Sequence, residues 1–153
     1  EAFVKSQLGS GEKLPKPADG KIFLTVKNDD KPRAIEVARA LHKLGYSIIA
    51  TKGTAAAILD AGIPCEKINK VAEGRPHIVD VLKNGDISLV INTVEERRNA
   101  IVDSREIRTS ALKARVPTFT TVFGAEAAVE GMAVADDLGI ISVQEMHQQL
   151  AQN

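Results

Sequence analysis

The sequence contains one cysteine, no tryptophan, one tyrosine and four phenylalanines among its 153 residues. The lone thiol, Cys65, excludes an internal disulfide framework and any zinc site built on several thiolates. It agrees with a reducing compartment, and the cytoplasm is the expected location. So few aromatics leave little to stack on bases, the usual device of single-strand nucleic-acid binders. Charge of one sign is missing too. The 20 Lys+Arg balance 20 Asp+Glu for a formal net charge of zero, with an isoelectric point near 7.1. A neutral chain has no general attraction to a polyanion. No apolar run approaches the ~18–20 residues that span a bilayer. Neither nucleic acid nor membrane is therefore expected as a partner. There is no basic-then-apolar leader pattern, and the first residue is Glu1 rather than Met. A piece of a longer chain is expected.

What is present is ordinary globular material. Hydrophobic residues make up 44% and charged residues 26%, which argues for a packed core and against disorder. With aromatics scarce, that core must come from Val, Ile, Leu and Ala. The length suits one domain on the usual scale of roughly 100–200 residues.

Residues 1–20 read as a linker. Gly9-Ser10-Gly11 and Pro15-Lys16-Pro17 suit a flexible and then a stiff connection, and the domain proper is expected over 21–153. Ile22 to Val26 is an apolar run of strand length. Asn28-Asp29-Asp30 then precede Lys31-Pro32, with proline well placed in a first helical turn and Gly45 placed to end the helix. Ser47 to Thr51 reads as a strand, Thr54 to Ala61 as a helix closed by Gly62, and Cys65 to Ile68 as a short strand. His77 to Lys83 reads as a helix and Ile87 to Asn92 as a buried strand. Ser104 to Ala114 predicts a helix with Ile107, Ala111 and Leu112 inward. A strand near Pro117 to Thr121, a helix from Ala125 to Asp137 and a last helix from Val143 to Ala151 complete the chain.

Strands alternating with helices at short spacing imply right-handed crossovers and a mainly parallel sheet covered on both faces. The expected fold is a three-layer α/β sandwich. In such sheets ligands bind beyond the carboxyl ends of the strands. The loops after Val26, Thr51, Ile68 and Asn92 are therefore where function is expected.

Those loops carry an anion-binding chemistry. In Thr51-Lys52-Gly53-Thr54-Ala55, glycine lets a ligand approach the backbone. The two hydroxyls and the free N–H groups of a helix start can cradle a phosphate. On the loop alone, a plain helix cap by Thr54 is the favoured reading. Lys31 opens a helix whose dipole repels a cation, a conflict that a shared anion would remove. Lys70 follows one strand, Asn92-Thr93 end another, and Arg97-Arg98 come shortly after. Ammonium, guanidinium and hydroxyl groups converging from several strand ends suit a phosphate.

Other chemistries lack their signatures. There is no G-x-x-x-x-G-K-[ST] loop and no G-x-S-x-G elbow. His42, His77 and His147 are dispersed, and none has the spacing of a metal pair, so no metal is expected. His77, just after Pro76, suits a helix start. Cys65 suits packing in a short strand.

Several segments, in order, resemble one known family. They include Asp30-Lys31, Ala50-Thr51-Lys52-Gly53-Thr54-Ala55, and Asn69-Lys70-Val71-x-Glu73-Gly74-Arg75-Pro76-His77. Ile91-Asn92-Thr93, Asp103-Ser104-x-x-Ile107-Arg108 and Ile141-Ser142-Val143-Gln144-Glu145-Met146-His147 follow. Together they look like the C-terminal regulatory domain of the large subunit of bacterial carbamoyl-phosphate synthetase, a member of the methylglyoxal-synthase-like fold. The resemblance implies a non-catalytic, allosteric effector site for UMP or IMP, with phosphate contacts at Lys31, Thr51, Gly53 and Thr54. Lys70, Asn92, Thr93 and Arg97 would line the remainder. It further implies a parent enzyme that makes carbamoyl phosphate from glutamine, bicarbonate and ATP with Mg or Mn, for pyrimidine and arginine synthesis. The implied partners are the rest of the large subunit, the glutaminase small subunit and further copies of the parent. No cofactor is implied for the segment itself.

Two positions depart from the family pattern. Val94 stands where members often carry a threonine, and Thr118 stands where enteric members place an aromatic residue against ornithine. An assembly module is the alternative reading. A methylglyoxal-synthase-type lyase is disfavoured, because its Gly-Pro-x-Gly-Gly-Asp stretch has no counterpart and Arg75-Pro76-His77 stands in that region.

Overall fold

A computed structural model describes residues 14–70, 73–74, 76–94 and 98–137, with only the backbone described for 98–103. The elements run β1 (Lys21–Thr25), α1 (Lys31–Lys43), β2 (Ile48–Thr51), α2 (Lys52–Asp60), β3 (Glu66–Ile68) and α3 (Ile78–Lys83). Then come β4 (Ile87–Asn92), α4 (Arg98–Lys113), β5 (Thr118–Phe119) and α5 (Val122–Asp137). All strand pairs are parallel, and the five strands stand in the order β3-β2-β1-β4-β5.

The apolar runs explain this arrangement. A parallel strand flanked by helices is buried on both faces, so its residues are apolar almost without alternation. In β1, Ile22 and Leu24 point into one core with Val37 and Leu41 of α1, Ile58 of α2 and Met132 of α5. Phe23 points into the other, with Ile78 and Leu82 of α3 and Ile107 and Ala111 of α4. Helices thus cover both faces of the sheet, which is the expected three-layer sandwich.

Several boundaries differ from the sequence reading. α2 starts at Lys52, two residues ahead of Thr54, and α5 starts at Val122, three ahead of Ala125. α4 starts at Arg98, six residues ahead of Ser104. Cys65 precedes β3 and packs half-buried against the first core. Leu112 is not inward: it is 79% exposed, while Ile107 and Ala111 are buried. Gly45 does end α1, in a left-handed conformation (φ +94°) that a β-carbon would strain. The expected helix over Val143–Ala151 lies outside the described residues, as does Arg97. Within 14–20, Leu14 packs against the first core, and the Pro15 carbonyl accepts a hydrogen bond from the buried Tyr46 hydroxyl.

The topology determines where a ligand can sit. From β1 the chain builds outward through β2 to β3, then returns to the other side of β1 with β4 and β5. The loops leaving β1 and β4 therefore diverge, which opens a crevice at their carboxyl ends.

Candidate anion site at the strand ends

Four buried or half-buried segments meet at that crevice. The Thr51 and Thr25 hydroxyls are hydrogen-bonded at 2.9 Å across the β1–β2 pair. Thr54 Oγ1 accepts the Val26 N–H at 3.2 Å, and Thr93 Oγ1 accepts the Lys27 N–H at 3.0 Å. The Thr93 N–H in turn donates to the Thr25 carbonyl at 3.0 Å. Thr51, Thr54, Asn92 and Thr93 are all buried. Burying hydroxyls is tolerable only because each is paired.

This corrects the reading of Thr54 as a helix cap. Thr54 sits inside the first turn of α2 with its hydroxyl oxygen accepting the Val26 N–H just past the end of β1. Thr51 is the N-cap residue, yet its side chain makes no capping bond, because its hydroxyl is held by Thr25. The first N–H groups of α2 thus have no side-chain cap. They carry the positive end of the helix dipole.

Lys31 enters from the opposite wall. It is the first residue of α1, and its Nζ donates to Asn28 Oδ1. That Nζ stands 3.3 Å from where a β-carbon on Gly53 would lie. An ammonium thus overhangs the exposed backbone of an uncapped helix start.

Asn92 ends β4, and its Nδ2 donates to Ser104 Oγ of α4 at 2.9 Å, both groups buried. Val94 follows Thr93, half-buried, and offers no donor. Lys70 stands on the same edge just beyond β3, half-buried. Its backbone N–H donates to Glu73 Oε1 at 2.7 Å. No described contact joins its side chain to the threonines. Sequence reasoning missed Thr25 and Ser104. Thr25 could have been suspected as a polar residue ending an apolar strand, but its pairing needs the strand order. Ser104 carried no signal of its kind.

His77 is the N-cap residue of α3, as its place after proline implied. Its Nδ1 is buried without a hydrogen bond, 3.6 Å from Asp80 Oδ2. Among the described residues no three His, Cys, Asp or Glu side chains gather to hold a metal ion. No described helix is long and apolar enough to cross a membrane.

The profile of the MGS-like domain matches residues 33–120, more than half of the sequence and all five strands except β1. The chain belongs to the MGS-like domain family. This MGS-like chain is 56% identical over 98% of its length to a carbamoyl phosphate synthase large chain from Ralstonia nicotianae. The same comparison gives 52% over 98% for the large chain from Neisseria meningitidis serogroup A and 46% over 98% for that from Pasteurella multocida. In each case the MGS-like chain covers 14% of the relative. It spans about one seventh of the length of these proteins.

Proposed function

We propose that this MGS-like domain is the effector-binding part of a carbamoyl phosphate synthase large chain, taking UMP or IMP by its phosphate. The observation that carries this reading is the Lys31 ammonium over the Gly53 backbone at an uncapped helix start. A phosphate there would accept the N–H groups of α2 and bring a charge that Lys31 neutralises. Thr51 and Thr54 border it, Lys70, Asn92 and Thr93 extend the pocket toward the ribose and base, and Arg97 is a further contact. Val94 removes one donor, and losing a contact of that kind typically lowers binding by ~0.5–1.5 kcal/mol.

The segment itself performs no chemistry and needs no cofactor. The parent enzyme makes carbamoyl phosphate from glutamine, bicarbonate and ATP, with Mg or Mn, in the cytoplasm. It does so with a glutaminase small subunit and as an oligomer, for pyrimidine and arginine synthesis. The effector acts by binding two conformations of the parent with different affinity, since only that difference can reach a distant site. A coupling of ~1–3 kcal/mol, usual for allostery, changes apparent affinity from several-fold to about a hundredfold.

Isothermal titration of the folded chain with UMP, IMP and inorganic phosphate tests this reading. UMP binding that Lys70→Ala abolishes is the expected result, and in the whole enzyme the same substitution removes the UMP response. A folded chain that gives no heat with any of the three, in a whole enzyme that ignores UMP, would leave assembly as the role.

A further inference from the structure

Ser104 is a polar residue in an apolar place. It lies on the inward stripe of α4 with Ile107 and Ala111, at i, i+3 and i+7, and those two belong to the second core. The serine is buried as well, 7% exposed. Its described partner is the side chain of Asn92, 2% exposed, whose Nδ2 donates to Ser104 Oγ at 2.9 Å. Such a pair adds little to stability. Its net contribution is that of any neutral hydrogen bond, and two apolar side chains of the same shape would hold the fold about as well.

The Asn92 amide also has hydrogen-bonding capacity to spare. It carries two donors and an oxygen with two lone pairs, and its one described bond uses a single donor. Among the described residues the one buried side-chain nitrogen or oxygen without a partner is His77 Nδ1. Asn92 Oδ1 has no described partner either, so that end of the amide is not sealed from solvent. Asn92 is the last residue of β4 and faces Thr25 across the β1–β4 pair, while Thr25 is hydrogen-bonded to Thr51 of β2. The three form a polar row at the carboxyl edge of the sheet, where the crevice opens.

Strand spacing decides which part of a nucleotide can reach the end of that row. β2 and β4 lie on opposite sides of β1, so Asn92 is two strand spacings, roughly 10 Å, from Thr51 at the start of α2. A phosphate held by the α2 N–H groups is too small to span that gap. A ribose with its base is not.

We propose that Ser104 is a positioning residue of the effector site: it holds the Asn92 amide against α4 so that the open end meets the nucleoside part of the ligand, and it takes no part in holding the phosphate. The proposal rests on the effector reading above. A serine hydroxyl accepts from an amide nitrogen or donates to an amide oxygen, so Ser104 fixes the place of the amide while either end can be turned to the ligand. Without that hydroxyl the amide rotates freely, and the nucleoside has to order it on binding.

Equilibrium dialysis of the full-length large chain with labelled UMP, and with inorganic phosphate as competitor, tests this. Ser104→Ala should weaken UMP binding roughly fivefold, the scale of one neutral hydrogen bond, and leave the affinity for phosphate unchanged. Ser104→Cys keeps the volume but gives the amide only a weak partner, so it should show the same split and serves where the alanine variant does not fold. In an Asn92→Ala background Ser104→Ala should have no further effect on UMP, because the group it positions is gone. Equal losses for UMP and phosphate, no loss for either, or an undiminished effect of Ser104→Ala without Asn92 overturns the proposal. The effector reading fails in a different way. An unaltered large chain that takes no UMP removes that reading and this one with it, whereas UMP binding that Ser104→Ala does not change removes Ser104 alone.

Discussion

Lys31 Nζ stands 3.3 Å from the position a β-carbon would take on Gly53, although the two residues belong to different helices. The glycine backbone is helical, with no positive φ, so its role is space rather than conformational freedom. Gly53→Ala should therefore move two quantities in opposite directions. Alanine stabilises an exposed helix position by about 0.5–1 kcal/mol over glycine. The added methyl also displaces the ammonium and obstructs the backbone, which should weaken phosphate or UMP binding by about tenfold, the scale of one charge-assisted hydrogen bond. Denaturation and titration of the same variant check this. Unchanged affinity would remove Lys31 and Gly53 from the site.

The hydroxyl pair Thr25–Thr51 predicts non-additive stability. Both side chains are buried, and each is the other's described partner at 2.9 Å. Thr25→Val or Thr51→Val alone strands one buried hydroxyl, which typically costs about 1–3 kcal/mol. Replacing both removes the stranded group, so the double variant should lose clearly less than the sum. Urea denaturation of the four proteins gives the coupling directly. Strict additivity would mean that the two hydroxyls do not depend on each other.

How much of this was legible in the sequence depends on where the determining physics lies. Ile87–Asn92 reads correctly because a strand covered on both faces is nearly continuous in apolar residues. The carboxyl-edge location of Lys31, Thr51, Gly53, Thr54, Asn92 and Thr93 follows from the strand–helix alternation alone. The start of α4 does not. The sequence reading starts the helix at Ser104, but Ser104 lies within it and its hydroxyl oxygen accepts from the Asn92 amide. Leu112 fails for an angular reason. Five residues beyond Ile107, it is turned about 140° away from the inward face at 3.6 residues per turn. The Thr25–Thr51 bond needs the register in which Leu24 faces Ala50, and nothing local encodes that.

Cys65 should be an unreactive thiol. Burial, and secondarily the Glu66 carboxylate beside it, pushes its pKa from 9.0 up to about 11. The thiolate is the nucleophile, so at pH 8 alkylation of the folded chain should run about 100-fold slower than that of an unperturbed thiol. The rate should climb about tenfold per pH unit until the thiol ionises near its raised pKa. Denaturant should restore the ordinary rate. Fast modification of the native protein at pH 8 would contradict this placement of Cys65 against the core.

Tyr46 links the approach segment to the domain, and its ionisation should report that link. Its hydroxyl donates to the Pro15 carbonyl. Burial foremost, then the negative charges of Asp136 and Asp19, raises its pKa from 10.0 to about 12. The unfolded chain releases this proton near pH 10 while the folded chain keeps it until about pH 12. The contribution is therefore complete below pH 10 and declines as pH rises between those values. The slope approaches about 1.4 kcal/mol per pH unit from this group alone. As the sole tyrosine in the chain, Tyr46 can be titrated by its own absorbance. Tyr46→Phe should lose the hydrogen bond, about 1 kcal/mol at neutral pH. It should also flatten the alkaline decline measured by urea denaturation. A phenol midpoint near 10 in the folded protein would mean that residues 14–20 do not seal over Tyr46 in solution.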